Sequence, residues 1–547
     1  MTVYFDTIAL QAKFDGTHWT DFTADTVGAI DCWYGIDGNG ALDRIASPGE
    51  LKFTLNNSVS NSAHLVGYYS PGHVNCRAGF QPGLEIRVLF TLDLIPVQKF
   101  IGKIPSDGID VAPGMYKERI TRVTVKDWME QAVIHQLKGF QLATDKTVME
   151  GVALVLSNMP SQPPGTIDYR TGESTFSYVG DTVTSRTTAM AEFGKMVQSE
   201  LGFLYLTRNG LRVEGRLTRN EEKTSLDEFP QSRSELTVFA VDGTDNLVDD
   251  NGDEILCSDS TTAVFDNQQT GMSVIFGKNF YNSTKFTAYP RRVDSAATTV
   301  LFNLQSPMAI GAGETAIISG SYKDPTGVAQ SVSGIDMVTP VANTHYKCYQ
   351  NKDGTGTDLT ANLTVSAVFG TGDFKYTITN SGDAGYITMA TAVGRGVYTD
   401  IPAEYYLEDA DSITEHGDYP LVVEMKYQDD PMVASRWAQV SLFQYKSLVS
   451  SVDSVDFVAS ASGPMLNAFL YMEPGDRIRI KEDVTAINGD FFIHAVKFSI
   501  LPGNIVTFSW VLRAAGLDTF NFVKWTSDTT PVAGYGTWDD PIYGWDF

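Results

Sequence analysis

The chain has 547 residues, 43% of them hydrophobic and 11% aromatic, which allows about three to five domains with cores of their own and excludes a globally disordered chain. Its 66 acidic and 40 basic residues leave a net charge of −26. That balance argues against a nucleic-acid binder, which needs a basic face to release phosphate counterions, and against docking on anionic lipid.

Residues 1–125 read as strands. "VYFDTIALQAKF", "AIDCWYGID", "GELKFTLNN", "LEIRVLFTL" and "VQKFIGKI" are rich in Val, Ile, Phe and Tyr, and clusters such as "DGNG" and "SPGE" punctuate them. Short strands with turns every ten or so residues predict a barrel or sandwich. In "RITRVTVKD" the apolar residues Ile120, Val123 and Val125 break strict alternation, which predicts a bulge.

The pattern changes to helical at about residue 126. "VKDWMEQAVIHQL" carries Trp128, Ala132 and Leu137 at helical spacing. "TDKTVMEGVALVLSNMP" puts Val148, Val152, Val155 and Met159 on one stripe before Pro160, and "TTAMAEFGKMVQSEL" does the same with Met190, Phe193, Val197 and Leu201. These are amphipathic helices. A hairpin follows, "FLYLT" and "LRVEG", with Asn209-Gly210 as its expected type I′ turn. Residues 126–216 therefore form a small α+β unit. Residues 217–295 return to strands, around a charged loop at 241–254. Residues 296–400 read as an inserted β-sandwich of six strands broken by "DPTG", "DGTGTD" and "NSGDAG". Residues 401–525 hold two expected helices, "AEYYLEDADSITEHG" and "DPMVASRWAQVSLFQYKSL", and a return to strands. The tail, 526–547, carries Tyr535, Trp538, Tyr543 and Trp545. With Trp525 just before it, it is expected to dock on the chain or a neighbour, because free disordered tails lack aromatics.

Motifs that carry chemistry are scarce. The sequence has no P-loop, HExxH or GxSxG. The seven histidines are scattered, none at ligand spacing from a cysteine or another histidine. "VDDNGDE" and "NKDGTGTD" place carboxylates around glycine turns without EF-hand spacing and read as solvated turns. "DAD" at Asp409–Asp411 sits at an expected helix start, where acids favour the dipole. Cys32, Cys76, Cys257 and Cys348 form no CxxC pair and read as free thiols. Arg77 and Arg87 are expected to be salt-bridged at the surface. The opening "MTVYFDTIAL" lacks a basic n-region, and no stretch approaches the roughly 20 apolar residues of a membrane span, so cytoplasmic synthesis is expected. No catalytic, cofactor-binding or metal-binding residue is nominated, and no enzyme activity is expected.

Four stretches, in order, resemble phage tail hub proteins of the contractile-baseplate type and their counterparts at the tip of non-contractile tails. They are "GELKFTLNNS" with the "LEIRVLF…VQKFIGKI" strands, "RVTVKDWMEQA", "AEFGKMVQSELGFLYLTRNGLRVEGR", and "EPGDRIRI" with "FFIHAVKFSI" and "VTFSWVLR". The resemblance implies a mainly β fold with α+β parts: two β-barrel-like domains interleaved with small α+β domains, here with the sandwich inserted. Met190, Phe193 and Val197 would pack on the ribbon's Leu204 and Leu206, while Arg212, Glu214 and Arg216 would stay wet. It also implies a homotrimer at the tail tip, in contact with the tail tube, the distal tail ring protein, the tape measure and tail fibre or tip proteins. An acidic lining would let DNA pass without sticking. The alternative is a receptor- or carbohydrate-binding tail protein working through the sandwich, with Tyr346, Tyr376 and Tyr386 as stacking residues.

Overall fold

In a computed structural model of the protein, strands from the two ends of the chain lie in one sheet. The structure describes residues 5–114, 119–221 and 269–517 apart from a few single positions, together with three short strands between 247 and 266. The expected charged loop at 241–254 (apart from its short strand segments), Cys257 and the aromatic tail lie outside the described residues.

The N-terminal strands are β1 (Thr7–Ala12), β2 (Ile30–Gly35), β3 (Glu50–Asn56), β4 (Glu85–Leu92), β5 (Ile95–Lys103) and β6 (Ile120–Lys126). β3, β4 and β6 alternate as half-buried strands must: Leu51, Phe53 and Leu55 point inward from β3, and Ile86, Val88 and Phe90 from β4; in β5 a bulge opposite Val88 and Leu89 lets Lys99 and Phe100 both be buried. The bulge expected in β6 is absent. Its inward set is Thr121, Val123 and Val125, in unbroken register with β3. Ile120 faces outward, and the buried Thr121 hydroxyl donates to the Tyr69 carbonyl at 2.8 Å, so a polar residue keeps the period.

The α+β unit follows: α1 (Met129–Ile134), β7 (Ala143–Thr147), α2 (Val148–Asn158), β8 (Thr166–Tyr169), β9 (Thr175–Val179), α3 (Ala189–Glu200), β10 (Phe203–Thr207) and β11 (Gly210–Glu214). Thr147 and Glu150 form a reciprocal capping box on α2, and Thr188 caps α3. The stripes expected of α2 and α3 meet the ribbon in one core containing Val152, Phe193, Val197, Leu204 and Leu206.

Next come β12 (Gly271–Phe276) and β13 (Ser283–Ala288), then the sandwich strands β14 (Thr315–Ser321), β15 (Ser331–Ile335), β16 (Leu363–Phe369), β17 (Asp373–Asn380) and β18 (Gly385–Thr399). The 15-residue β18 is the spine of a six-stranded sheet that includes β15. Order β14-β17-β16 makes the second sheet, and both contribute to one apolar cluster.

The remainder is β19 (Ala403–Glu408), α4 (Ala410–His416), β20 (Pro420–Met425), α5 (Pro431–Tyr445), β21 (Ser450–Val458), α6 (Gly463–Tyr471), β22 (Arg477–Glu482), β23 (Ile487–Leu501) and β24 (Ile505–Ala514). The first of the two helices expected here is half strand. Glu404, Tyr406 and Glu408 face out while Tyr405 and Leu407 turn inward, a period of two that pairs β19 with β13. Helix begins only at Ala410, where Asp409 accepts the Ser412 N–H.

The main sheet runs β12-β21-β24-β23-β2-β3-β6-β5-β4-β1. The hinge of this path is the pairing of β2 with β23, from Ile30↔Ile500 to Gly35↔Ala495. The apolar helix α6 fills the space the sheet wraps. A helix apolar on every side must be buried: the Phe469 ring lies 4.9 Å from Phe90, 5.3 Å from Phe498 and 5.4 Å from Phe508. Strands from both chain ends therefore share one core.

Candidate functional site

The polar side chains that this fold buries gather where units meet. Lys99 of β5 and Glu473, just past α6, pair at 2.5 Å with almost no exposure. The Tyr34 hydroxyl of β2 donates to both Glu473 oxygens, at 3.1 and 3.0 Å. The Arg208 backbone N–H, at the ribbon turn, donates to Glu473 Oε2 at 3.1 Å. Its guanidinium donates to the Leu470 carbonyl at 2.8 Å. One carboxylate thus ties the N-terminal strands, the α+β unit and the core helix together. Burial pushes the Lys99 ammonium below its ordinary value although Glu473 opposes this. Burial and Glu473 push the Tyr34 phenol up.

A second network lies behind the ribbon. Glu214 is buried, accepts from Arg219 Nε at 2.9 Å and from the Tyr205 hydroxyl, and pairs with Arg212 at 2.9 Å. Arg219 stacks 3.6 Å over the Phe203 ring and donates to His494 Nε2 at 3.2 Å. His494 Nδ1 lies 2.8 Å from the Gly38 carbonyl. The expectation that Arg212, Glu214 and Arg216 stay wet fails outright for Glu214, which is buried, while Arg212 and Arg216 are half-buried and paired, Arg216 with Glu200 at 3.6 Å. The ribbon's second face turns toward the main sheet, its Phe203 ring 5.6 Å from His494 of β23, which is buried without a break from Phe491 to Val496, and a buried face needs its charges paired.

The ribbon turn also departs from the sequence reading. Pairing of Thr207 with Gly210 leaves Arg208 and Asn209 as the turn, and neither has positive φ. Gly210 is needed for a different reason. Its φ is +139°, and a Cβ there would sit 1.9 Å from the Thr166 carbonyl oxygen of the parallel strand β8.

The sandwich is fastened to the α+β unit. Asp181 and Arg291 pair at 2.9 Å, both about 1% exposed. The Ser333 hydroxyl donates to the Asp181 carbonyl, and the Thr371 hydroxyl to the Val183 carbonyl at 3.1 Å. Burial raises the Asp181 carboxyl, opposed by Arg291. Glu192 of α3 likewise takes the Tyr427 hydroxyl and pairs with Lys195 at 2.9 Å.

Other residues singled out in the sequence have structural roles here. Tyr346 and Tyr376 are in the sandwich core, Tyr376 donating to the Thr391 carbonyl at 3.0 Å, so they are not stacking platforms; Tyr386 is half-buried. Arg77 lies 3.6 Å over Phe14 and Arg87 4.2 Å over Trp19, cation–π contacts in place of the salt bridges expected. Asp353 and Asp358 accept from Thr355 and Thr360 within their turns. Cys32 and Cys348 are buried free thiols and Cys76 is half-buried. Among the described residues no group of three metal-ligating side chains converges, and no helix is long and apolar enough to cross a membrane. The buried ionic junctions were missed in the sequence. Their one signal was charge inside strand patterns: Lys99 in "VQKFIGK" and Glu214 in "LRVEG".

No family model matches the sequence, and no curated protein matches it. Solved structures do. The chain is similar to the 43 kDa tail protein of prophage MuSo2 from Shewanella oneidensis, at 9% identity and TM-score 0.44, over 93% of this chain and 99% of that one. It is similar to a tail protein from Neisseria meningitidis MC58 at 9% identity and TM-score 0.44, over 94% and 99%. A third is an E. coli component of the type VI secretion system, described as structurally similar to T4 bacteriophage tail proteins, at 8% identity and TM-score 0.30, over 97% and 80%. These structural neighbours are tail proteins and a secretion-system component.

Proposed function

We propose that the chain is a structural virion protein, the hub at the tip or baseplate of a phage-type tail. One observation supports this above the others. Three of the four stretches that resemble tail hubs, all but the third, contribute to one strand-and-helix core, α6 locked into it by Lys99 and Glu473; the third forms the ribbon pinned behind it, its Arg208 N–H on Glu473. A part that holds shape under load, and performs no reaction, needs its units joined by buried contacts rather than an open cluster of reactive groups.

In this reading the units are 1–125 and 217–295 with 401–525 as the barrel-like and α+β parts of the hub. Residues 126–216 are the small unit between them, 296–400 an appended sandwich and 526–547 a docking tail. The protein is a homotrimer that ends the tail tube. It meets the distal ring, the tape measure and the fibre or tip proteins, and DNA passes through it without specific binding. It is assembled in the host cytoplasm and resides at the virion tail tip. It is not an enzyme.

Negative-stain microscopy of the purified chain tests the hub directly. A threefold ring with an open centre is expected; a closed dimer refutes it. A predominantly basic lumen would overturn the DNA-passage part, because lysines and arginines would hold phosphate. Clearing of peptidoglycan by the pure protein would overturn the non-enzymatic part.

A further inference from the structure

The sandwich and the α+β unit leave an open cleft of about 570 Å³ between them, within the usual size of small-ligand sites. One wall carries Gln141, Asp145 and Tyr178, from β7, the segment before it and β9. The other carries Asp336, Phe369 and Arg395, from the end of the sandwich. The walls cannot drift apart cheaply, because Asp181–Arg291 and the Ser333 and Thr371 hydroxyls bolt them together. A preformed cleft avoids the ordering cost of binding.

The lining chemistry narrows the ligand. Arg395 is already engaged, with Asp336 at 3.2 Å and with the Asp294 carbonyl at 2.9 Å. Among the described residues, the Gln141 amide, the Asp145 carboxylate and the Tyr178 hydroxyl make no hydrogen bond within the protein. An anionic ligand would meet two carboxylates and one committed arginine on a chain of net charge −26. A wholly apolar ligand would strip water from the three free polar groups and return nothing. A sugar matches both halves of this lining: hydroxyls for the amide, carboxylate and phenol, and apolar C–H groups for the Phe369 and Tyr178 side chains.

We propose that this cleft binds a neutral saccharide of two to three rings. The proposal does not depend on the hub reading, nor on the buried Tyr346 and Tyr376. The test uses the full-length protein on an array of neutral, acidic and amino oligosaccharides and unstructured peptides. Calorimetric titration of the best neutral glycan follows, on the wild type and on Tyr178→Phe, Gln141→Ala and Asp145→Asn. Asparagine tolerates the left-handed backbone of Asp145, whose φ is +52°, so that variant keeps the loop. Each variant is expected to melt as the wild type does and to lose about 5- to 10-fold in affinity, the worth of one hydrogen bond. Three results overturn the proposal: no neutral glycan bound at about 10 mM, affinity unchanged in all three variants, or binding confined to charged glycans or peptides. Ring symmetry by microscopy is read separately, so failure here is distinguishable from failure of the hub.

Discussion

Replacing Lys99 with methionine tests whether the core helix is locked by charge or by packing alone. The Lys99 side chain has no exposure and Glu473 has 4%, so removing the ammonium strands a carboxylate in a dry site. Breaking a buried pair from one side costs about 3–5 kcal/mol. Glu473 keeps two donors, the Tyr34 hydroxyl and the Arg208 N–H, which places Lys99→Met toward the lower end, at about 3 kcal/mol. Lys99→Met with Glu473→Gln removes the stranded charge, and the amide oxygen still accepts from Tyr34 and Arg208. The double variant is expected to recover about 1–2 kcal/mol of the loss, a coupling typical of residues in contact. A chain of several units does not unfold in one step, so the assay is native-state hydrogen exchange on peptides covering 95–103 and 463–473. Protection there should fall in the single variant and return in part in the double one. Protection within about 1 kcal/mol of wild type in Lys99→Met would refute the reasoning, since it would mean that Glu473 is neutral or solvated in the folded protein.

Three further outcomes are expected. Burial raises the Asp127 carboxyl from 3.8 to about 7. The folded state therefore holds a proton that the unfolded chain has lost; this stabilisation is complete below 3.8 and disappears as pH rises through about 7, a change of at most about 4 kcal/mol. Asp127→Asn keeps an acceptor for the Met129 N–H and should flatten melting temperature against pH from 4 to 8; an unchanged slope would assign the effect elsewhere. Gly210→Ala should cost more than about 3 kcal/mol, because its Cβ would strike the Thr166 backbone; hydrogen-exchange protection of 203–214 equal to wild type would contradict that geometry. Asp181→Ala leaves the buried Arg291 guanidinium without its carboxylate, held only by the Tyr289 and Lys426 carbonyls, at a cost of about 3 kcal/mol, and should open residues 289–295 to limited proteolysis while the main sheet stays protected. Cleavage no faster than wild type would show that the sandwich is held by its other contacts.

Much of the local structure is written in local pattern. The strands β1 to β6 follow from runs rich in Val, Ile, Phe and Tyr between turn clusters, α2 and α3 from stripes of Val, Met and Phe, and the sandwich from apolar runs split by Gly- and Asp-rich turns. These signals depend on neighbours a few residues away, so a single sequence carries them. Where two local periods compete, the reading fails: "AEYYLED" has helix-compatible spacing, yet β13 recruits it as a strand because pairing there buries Tyr405 and Leu407. Tertiary structure alone decided that β2 pairs with β23 across more than 450 residues, that α6 fills the space between, and that Glu214 is dry. Whether a charge in a strand is wet depends on what covers its face, and here the cover comes from the far end of the chain. The cleft belongs to the same class, since its walls are two units joined through Asp181–Arg291 and the Ser333 and Thr371 hydroxyls, partners far apart in the chain.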